Sequence, residues 1–161
     1  MCNVTAIAFG PNRRTTDRGD GETVTFEAAG ADAAFLLARV LFGGVLAFTG
    51  IDHFTSTDEM AGYAEFKGLP APRLSVLGSG GLLVFGGLSL VLGAFPAVGA
   101  GGLAVFLVVS GVTMHDFWNT DGEEAQNEMT SFLKNVYGAG GALVFLVLAG
   151  TPWPYALNVG I

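Results

Sequence analysis

Residues 74–114 form a run of 41 positions without one Asp, Glu, Lys, Arg or His. As helix such a run would extend about 60 Å, roughly twice the ~30 Å hydrocarbon thickness of a bilayer. Pro96, with Gly93 just before it, breaks the run into two spans. Before it, residues 33–51 are apolar except for Arg39. After it, residues 136–161 carry no charge, and Pro152 and Pro154 end a helix near Gly150. The expected fold is therefore all-α: an integral membrane four-helix bundle with short loops, after an irregular polar N-terminal tail at 1–31. The bundle domain takes residues 32–161, with helices at about 32–53, 73–94, 97–117 and 130–150. The competing reading, a soluble helical protein with a buried core, fails because residues 82–92 show no polar face.

Composition narrows the classes further. Charged residues make up only 13% of the chain, against about 25% in an ordinary soluble domain. The single cysteine, Cys2, excludes a disulfide scaffold and any CxxC redox or zinc site. Fourteen acidic against seven basic residues argue against nucleic acid as a partner. Only Lys67 and Lys134 are lysines; an acidic, lysine-poor exterior is what very high salt favours. In the first 31 residues the arginines follow a short apolar patch, the reverse of a signal peptide. Small residues four apart (Gly43/Ala47, Ser75/Ser79, Ala97/Gly101, Ala100/Ala104, Gly138/Ala142) suit close helix packing in lipid. The GSGG at 78–81 has no preceding strand and is not read as a phosphate loop.

An even number of spans puts both termini and the 93–97 turn on one face, and segments 52–73 and 116–135 on the other. That second face holds nine acidic and three basic residues and both histidines, His53 and His115. The first span exits as Asp52-His53-Phe54 and the third as His115-Asp116-Phe117-Trp118-Asn119. The fourth begins nearby with Lys134 and Tyr137, which share a helix face, and the second begins at Arg73. Together with Lys67, these residues are expected to ring a polar headgroup. A quinone suits such a ring: imidazole or lysine donors face its carbonyl oxygens and exchange protons, while aromatic side chains bury its ring.

Each piece also has a plainer reading. Trp118 and Tyr63 fit an interfacial aromatic belt, with Trp153 and Tyr155 on the opposite face. Asp–His neighbours at helix ends can simply satisfy helix carbonyls. A metal site from two His and two Asp has no H-x-x-H or E-x-x-H spacing behind it, so no metal is expected. Arg39 lies inside a span, where a charge costs roughly 2.5–3.5 kcal/mol on insertion scales. It either snorkels toward Asp32, fixing helix depth, or makes a buried contact inside the bundle.

Arg39-x3-Gly43, the Gly50-x2-His53 exit, Lys67-Gly68-Leu69-Pro70, the glycine-rich stretch 86–93 and the His115-Asp-Phe-Trp exit resemble the DoxX family over about 33–150. The stretch from His115 to Asn135 resembles its haloarchaeal members in particular. The resemblance implies a four-helix protein of the cell membrane, multi-pass, with relatives in quinone-linked oxidoreductases and redox-stress complexes. It implies Arg39, His53, Lys67, His115, Asn119 and Lys134 as the family's polar positions. One departure stands out: residues 82–85 are wholly apolar where many members carry a carboxylate.

Two functions follow as expectations. One is a quinone-linked membrane redox subunit in which His53, His115 and Lys134 carry the chemistry and Asp52, Lys67, Arg73, Asp116, Trp118, Asn119 and Tyr137 bind the headgroup. No flavin, haem or iron–sulfur motif is evident, so electrons come from a membrane-associated redox partner or from a substrate acting directly on the quinone. The other is a non-catalytic membrane partner that docks another protein through the acidic stretches 54–66 and 119–128.

Overall fold

The structure, a computed structural model, describes residues 29–160; the tail before them, with its TVTF stretch at 23–26, lies outside the described residues. Four long helices carry the fold: α1 (Ala31–Thr55), α3 (Pro72–Leu92), α4 (Pro96–Met114) and α5 (Gly122–Leu148), all long and apolar enough to cross a membrane. A shorter helix, α2 (Thr57–Phe66), follows α1, and a single 3-10 turn, Phe117–Asn119, follows α4. The expected four-span bundle is present. Large apolar side chains face outward, among them Phe48 at 73% and Val147 at 81% exposure, which suits lipid and not water.

Two elements differ from the sequence expectation. Segment 52–73 contains α2, and the fourth span starts at Gly122 and not near 130. Both stretches are polar, so hydropathy reads them as loop. Yet both start with acids in the first turn, Asp58 and Glu59 or Glu123 and Glu124, where the helix dipole favours negative charge. Ala, Glu, Gln and Met, good helix formers, fill much of the rest.

The expected break between the second and third spans holds. Gly93 ends α3 with φ 64°, and Pro96 opens α4, each in the position its backbone favours. The Ser89 hydroxyl donates to the carbonyls of Ala94 (2.5 Å) and Phe95 (2.9 Å), tying the turn to α3.

Helix pairing follows the small residues only in part. α1 lies on α3 along its length because side chains are missing there: a Cβ on Gly43 would meet the Gly87 carbonyl oxygen at 2.5 Å, and one on Gly50 the Gly80 carbonyl oxygen at 2.8 Å. Ala47 and the Ala100/Ala104 pair are buried as expected. Ala97 is exposed, so Ala97/Gly101 does not mediate packing, and Ser75 and Ser79 line a cleft. α3 and α4 touch closely at the 93–96 end, where Gly86 receives Leu103 and Gly99 receives Ser89. Leu83, Leu90, Leu103, Ala142, Phe145 and Trp153 form the core there.

Candidate functional site

Arg39 shows what the membrane does with a charge it must hold. It is fully buried, so of the two readings the buried contact is correct and snorkelling toward Asp32 is not. Its Nε donates to the Leu90 carbonyl at 2.9 Å, Nη2 to Val91 at 2.7 Å, and Nη1 to Pro154 at 2.8 Å. Both terminal nitrogens also lie 3.5 Å from the Tyr155 carbonyl. Leu90 and Val91 occupy the last turn of α3, whose carbonyls lack helical partners and carry the negative end of its dipole. The guanidinium also lies over the rings of Trp153 (5.2 Å) and Phe35 (5.8 Å). Trp153 is 1% exposed, with Nε1 donating to the Leu148 carbonyl at 2.9 Å. It is a core residue and not part of an aromatic belt. Residues 149–160 are thereby folded back beneath α3 and α4, with Leu157 N–H donating to the Leu92 carbonyl at 2.9 Å.

Toward the opposite face, α3 and α4 both line a cleft of about 810 Å³, together with Glu59, Met60, Tyr63 and Ala64 of α2. The walls are largely apolar, with Leu74, Leu82, Phe106 and Val109 among them. Asp52, His53, Ser56, Tyr63 and Thr113 supply polar atoms. His53 packs against Gly80, where a Cβ would meet the His53 Cβ at 2.8 Å. Its Nδ1 lies 2.8 Å from the Thr49 carbonyl and so carries the proton of that bond, which leaves Nε2 for a ligand.

Beside the cleft lies a charged network. The Lys67 ammonium pairs with Asp116 in a very short contact and stands 3.5 Å from Glu128 Oε1. Tyr63 donates its hydroxyl to Glu128 Oε1 at 2.9 Å, and His115 Nδ1 bonds Glu128 Oε2 at 2.8 Å. Lys67 also sits 5.4 Å from the Tyr63 ring centre. Burial alone would lower the Lys67 value, but the hydrogen bonds with Asp116 and Tyr63 and the charges of Tyr63 and Glu128 outweigh it. The ammonium is held above the ordinary lysine range. Burial and then the hydrogen bond to Glu128 raise the Tyr63 phenol, against a smaller opposing pull from Lys67.

The expected ring is thus divided. Asp52 and His53 line the cleft; Lys67, His115 and Asp116 join the network, with Asn119 donating to Asp116 across a long 3.5 Å contact. Arg73 lies apart, paired with Asp58 at 3.2 Å in solvent. Trp118 is 53% exposed and packs edge-on against Phe117 and Phe132. Lys134 and Tyr137 are exposed and touch neither cleft nor network among the described residues. The early start of α5 explains this. Glu128 reaches α2, and Lys134, six residues on, has turned about 120° away around the helix.

Sequence reasoning passed over Tyr63, read as aromatic belt, and Glu128, read as part of an acidic docking stretch. The available signal was the four-residue spacing of Tyr63 and Lys67, which places both on one side of α2 once 57–66 is helix.

Comparison with known proteins gives one match: the DoxX family, over residues 34–116, just over half of the chain. The matched region spans α1 to the exit of α4; Glu128 and the rest of α5 lie beyond it. Neither a curated protein nor a solved structure matches the chain.

Proposed function

The chain belongs to the DoxX family, and on that premise we propose that it is a quinone-linked redox subunit of the cell membrane with its headgroup site in the cleft under α2. The observation that carries this reading is the cleft's make-up. Its volume of about 810 Å³ falls within the ~300–1,000 Å³ of small-molecule sites. Its lining joins apolar side chains with His53 and Tyr63. The donor set fits the group: a hydroxyl or carbonyl oxygen can face His53 Nε2, and the Tyr63 phenol keeps its proton near neutral pH. A bound quinone supplies two-electron, two-proton chemistry, with electrons from a redox partner or a substrate. The protein's part would be to bury the ring among apolar side chains such as Leu82 and Phe106 and to meet its polar end with His53.

Solvent extraction of gently purified protein, with quinone counted per chain by mass spectrometry, tests this. Near-stoichiometric quinone is expected, falling at least fivefold in His53→Ala and little in Lys134→Ala. Quinone no higher than bulk lipid carry-over would overturn the reading. The exposed Glu123 and Glu124 at the start of α5 would then favour docking of a partner protein.

A further inference from the structure

From the geometry we infer that Tyr63, Glu128 and His115 form a proton relay that joins the cleft to the acid-rich face of the membrane. The ligand at the cleft end rests on the quinone reading above; the relay itself rests on the three side chains. One carboxylate is bonded at both oxygens, Oε1 by the Tyr63 hydroxyl at 2.9 Å and Oε2 by His115 Nδ1 at 2.8 Å. Tyr63 lines the cleft, and the His115 side chain keeps 22% of its surface exposed. The chain therefore has one end at the cleft and the other near water. It also crosses three elements, α2, the exit of α4 and α5, beside the Lys67 contacts with Asp116 and Glu128.

The charged surroundings set the groups with which Glu128 can exchange a proton. The groups around Glu128 are Tyr63 and Lys67 from α2 and the residue after it, and His115 from the exit of α4, with Asp116 reached through Lys67. Asp116 occupies the Lys67 ammonium in the shorter contact, leaving Glu128 at 3.5 Å. Glu128 thus accepts at both oxygens, from Tyr63 and from His115, with the Lys67 charge at the longer distance.

The step balances as acid–base chemistry. A ligand hydroxyl in the cleft gives its proton to the phenol oxygen of Tyr63 as Tyr63 passes its own to Glu128 Oε1. The carboxyl turns its protonated oxygen toward His115. The neutral ring, which carries its proton on Nδ1 in the resting contact, flips to offer its bare Nε2. Nε2 takes the carboxyl proton, and Nδ1 releases its own to water. One proton leaves the cleft, one enters solvent, the ligand is left as its conjugate base, and no electron moves within the relay. Run backwards, the same chain delivers a proton to the cleft.

Infrared difference spectra of the purified protein between about pH 8 and pH 5, a range in which imidazoles charge, test the coupling without any ligand. The tyrosine C–O band lost in Tyr63→Phe and the carboxylate band lost in Glu128→Gln should shift together. In His115→Ala both shifts should disappear, and added imidazole should restore them. A Tyr63 band that ignores pH in the wild-type protein, or that shifts equally in His115→Ala, would overturn the relay. Quinone is counted in the same samples. Coupled bands without quinone support the relay and remove the quinone reading; quinone without coupled bands does the reverse.

Discussion

Two cations are drawn into this bundle, one at each face, and they are held in opposite ways. Arg39, fully buried, meets only neutral backbone carbonyls and aromatic faces. Lys67, with 10% of its side chain exposed, meets two carboxylates and a phenol. Guanidinium does not lose its proton in proteins and offers five fixed donors, so it can fasten three chain segments permanently. An ammonium among carboxylates belongs to a set whose members can exchange protons. The contrast separates a structural clasp at one face from the proposed site at the other.

The largest effect expected is at the clasp. Arg39→Leu leaves the carbonyls of Leu90, Val91, Pro154 and Tyr155 without their donor, at about 1–3 kcal/mol for each that stays buried and unpaired. With partial relaxation the loss should be on the order of 3–5 kcal/mol, measured as the shift in denaturant-induced unfolding in micelles. Arg39→Lys, a compact charge that cannot span the same carbonyls, should recover only part of it. If Arg39→Leu unfolded at the wild-type midpoint, the clasp would be decoration and the contrast would fall.

What was legible in advance divides along the same line. The four spans, the Pro96 break and the two-faced sorting of polar residues all came from hydropathy, because lipid exposure writes itself into composition. The burial of Arg39 was one of two open readings, since spacing along α1 cannot reveal carbonyls that arrive from residues 154 and 155. The network was half visible. His115, Lys67 and Asp116 stood out as charges near a membrane face, whereas Tyr63 and Glu128 sit on polar helical stretches, α2 and the start of α5, that hydropathy reads as loop. Lys134 was drawn into the expected ring by proximity in sequence to the start of the span, and the earlier start of α5 turned it outward.

A smaller effect tests the Lys67 side of the comparison. Tyr63 and Lys67 both hold their protons above the ordinary values of 10.0 and 10.5. Their contribution to holding α2 is therefore complete below those ordinary values and is lost as pH rises through the higher folded ones. A spin label at Glu65→Cys, in a Cys2→Ser background, should report constant α2 mobility across the neutral range and loosening only in strong alkali. In Lys67→Met the label should be mobile already at neutral pH, with a loss of about 1–2 kcal/mol in stability. Loosening in the wild type between neutrality and pH 9 would mean that another group latches the helix.

The smallest effect is expected at the other end of the same helix. Arg73 and Asp58 lie 3.2 Å apart, but their side chains are 71% and 85% exposed. Such pairs contribute about 0–1 kcal/mol and are screened by salt. Thr57, by contrast, is buried and donates its hydroxyl to the His53 carbonyl at 2.7 Å, so α2 is fastened to α1 without help from Arg73. Arg73→Ala should leave the Glu65 label unchanged in mobility and the unfolding midpoint within about 0.5 kcal/mol of wild type. If Arg73→Ala freed the label as much as Lys67→Met, charge in general and not the Lys67 network would be holding α2 over the cleft. The second half of the contrast would then have to be redrawn around the surface of the helix.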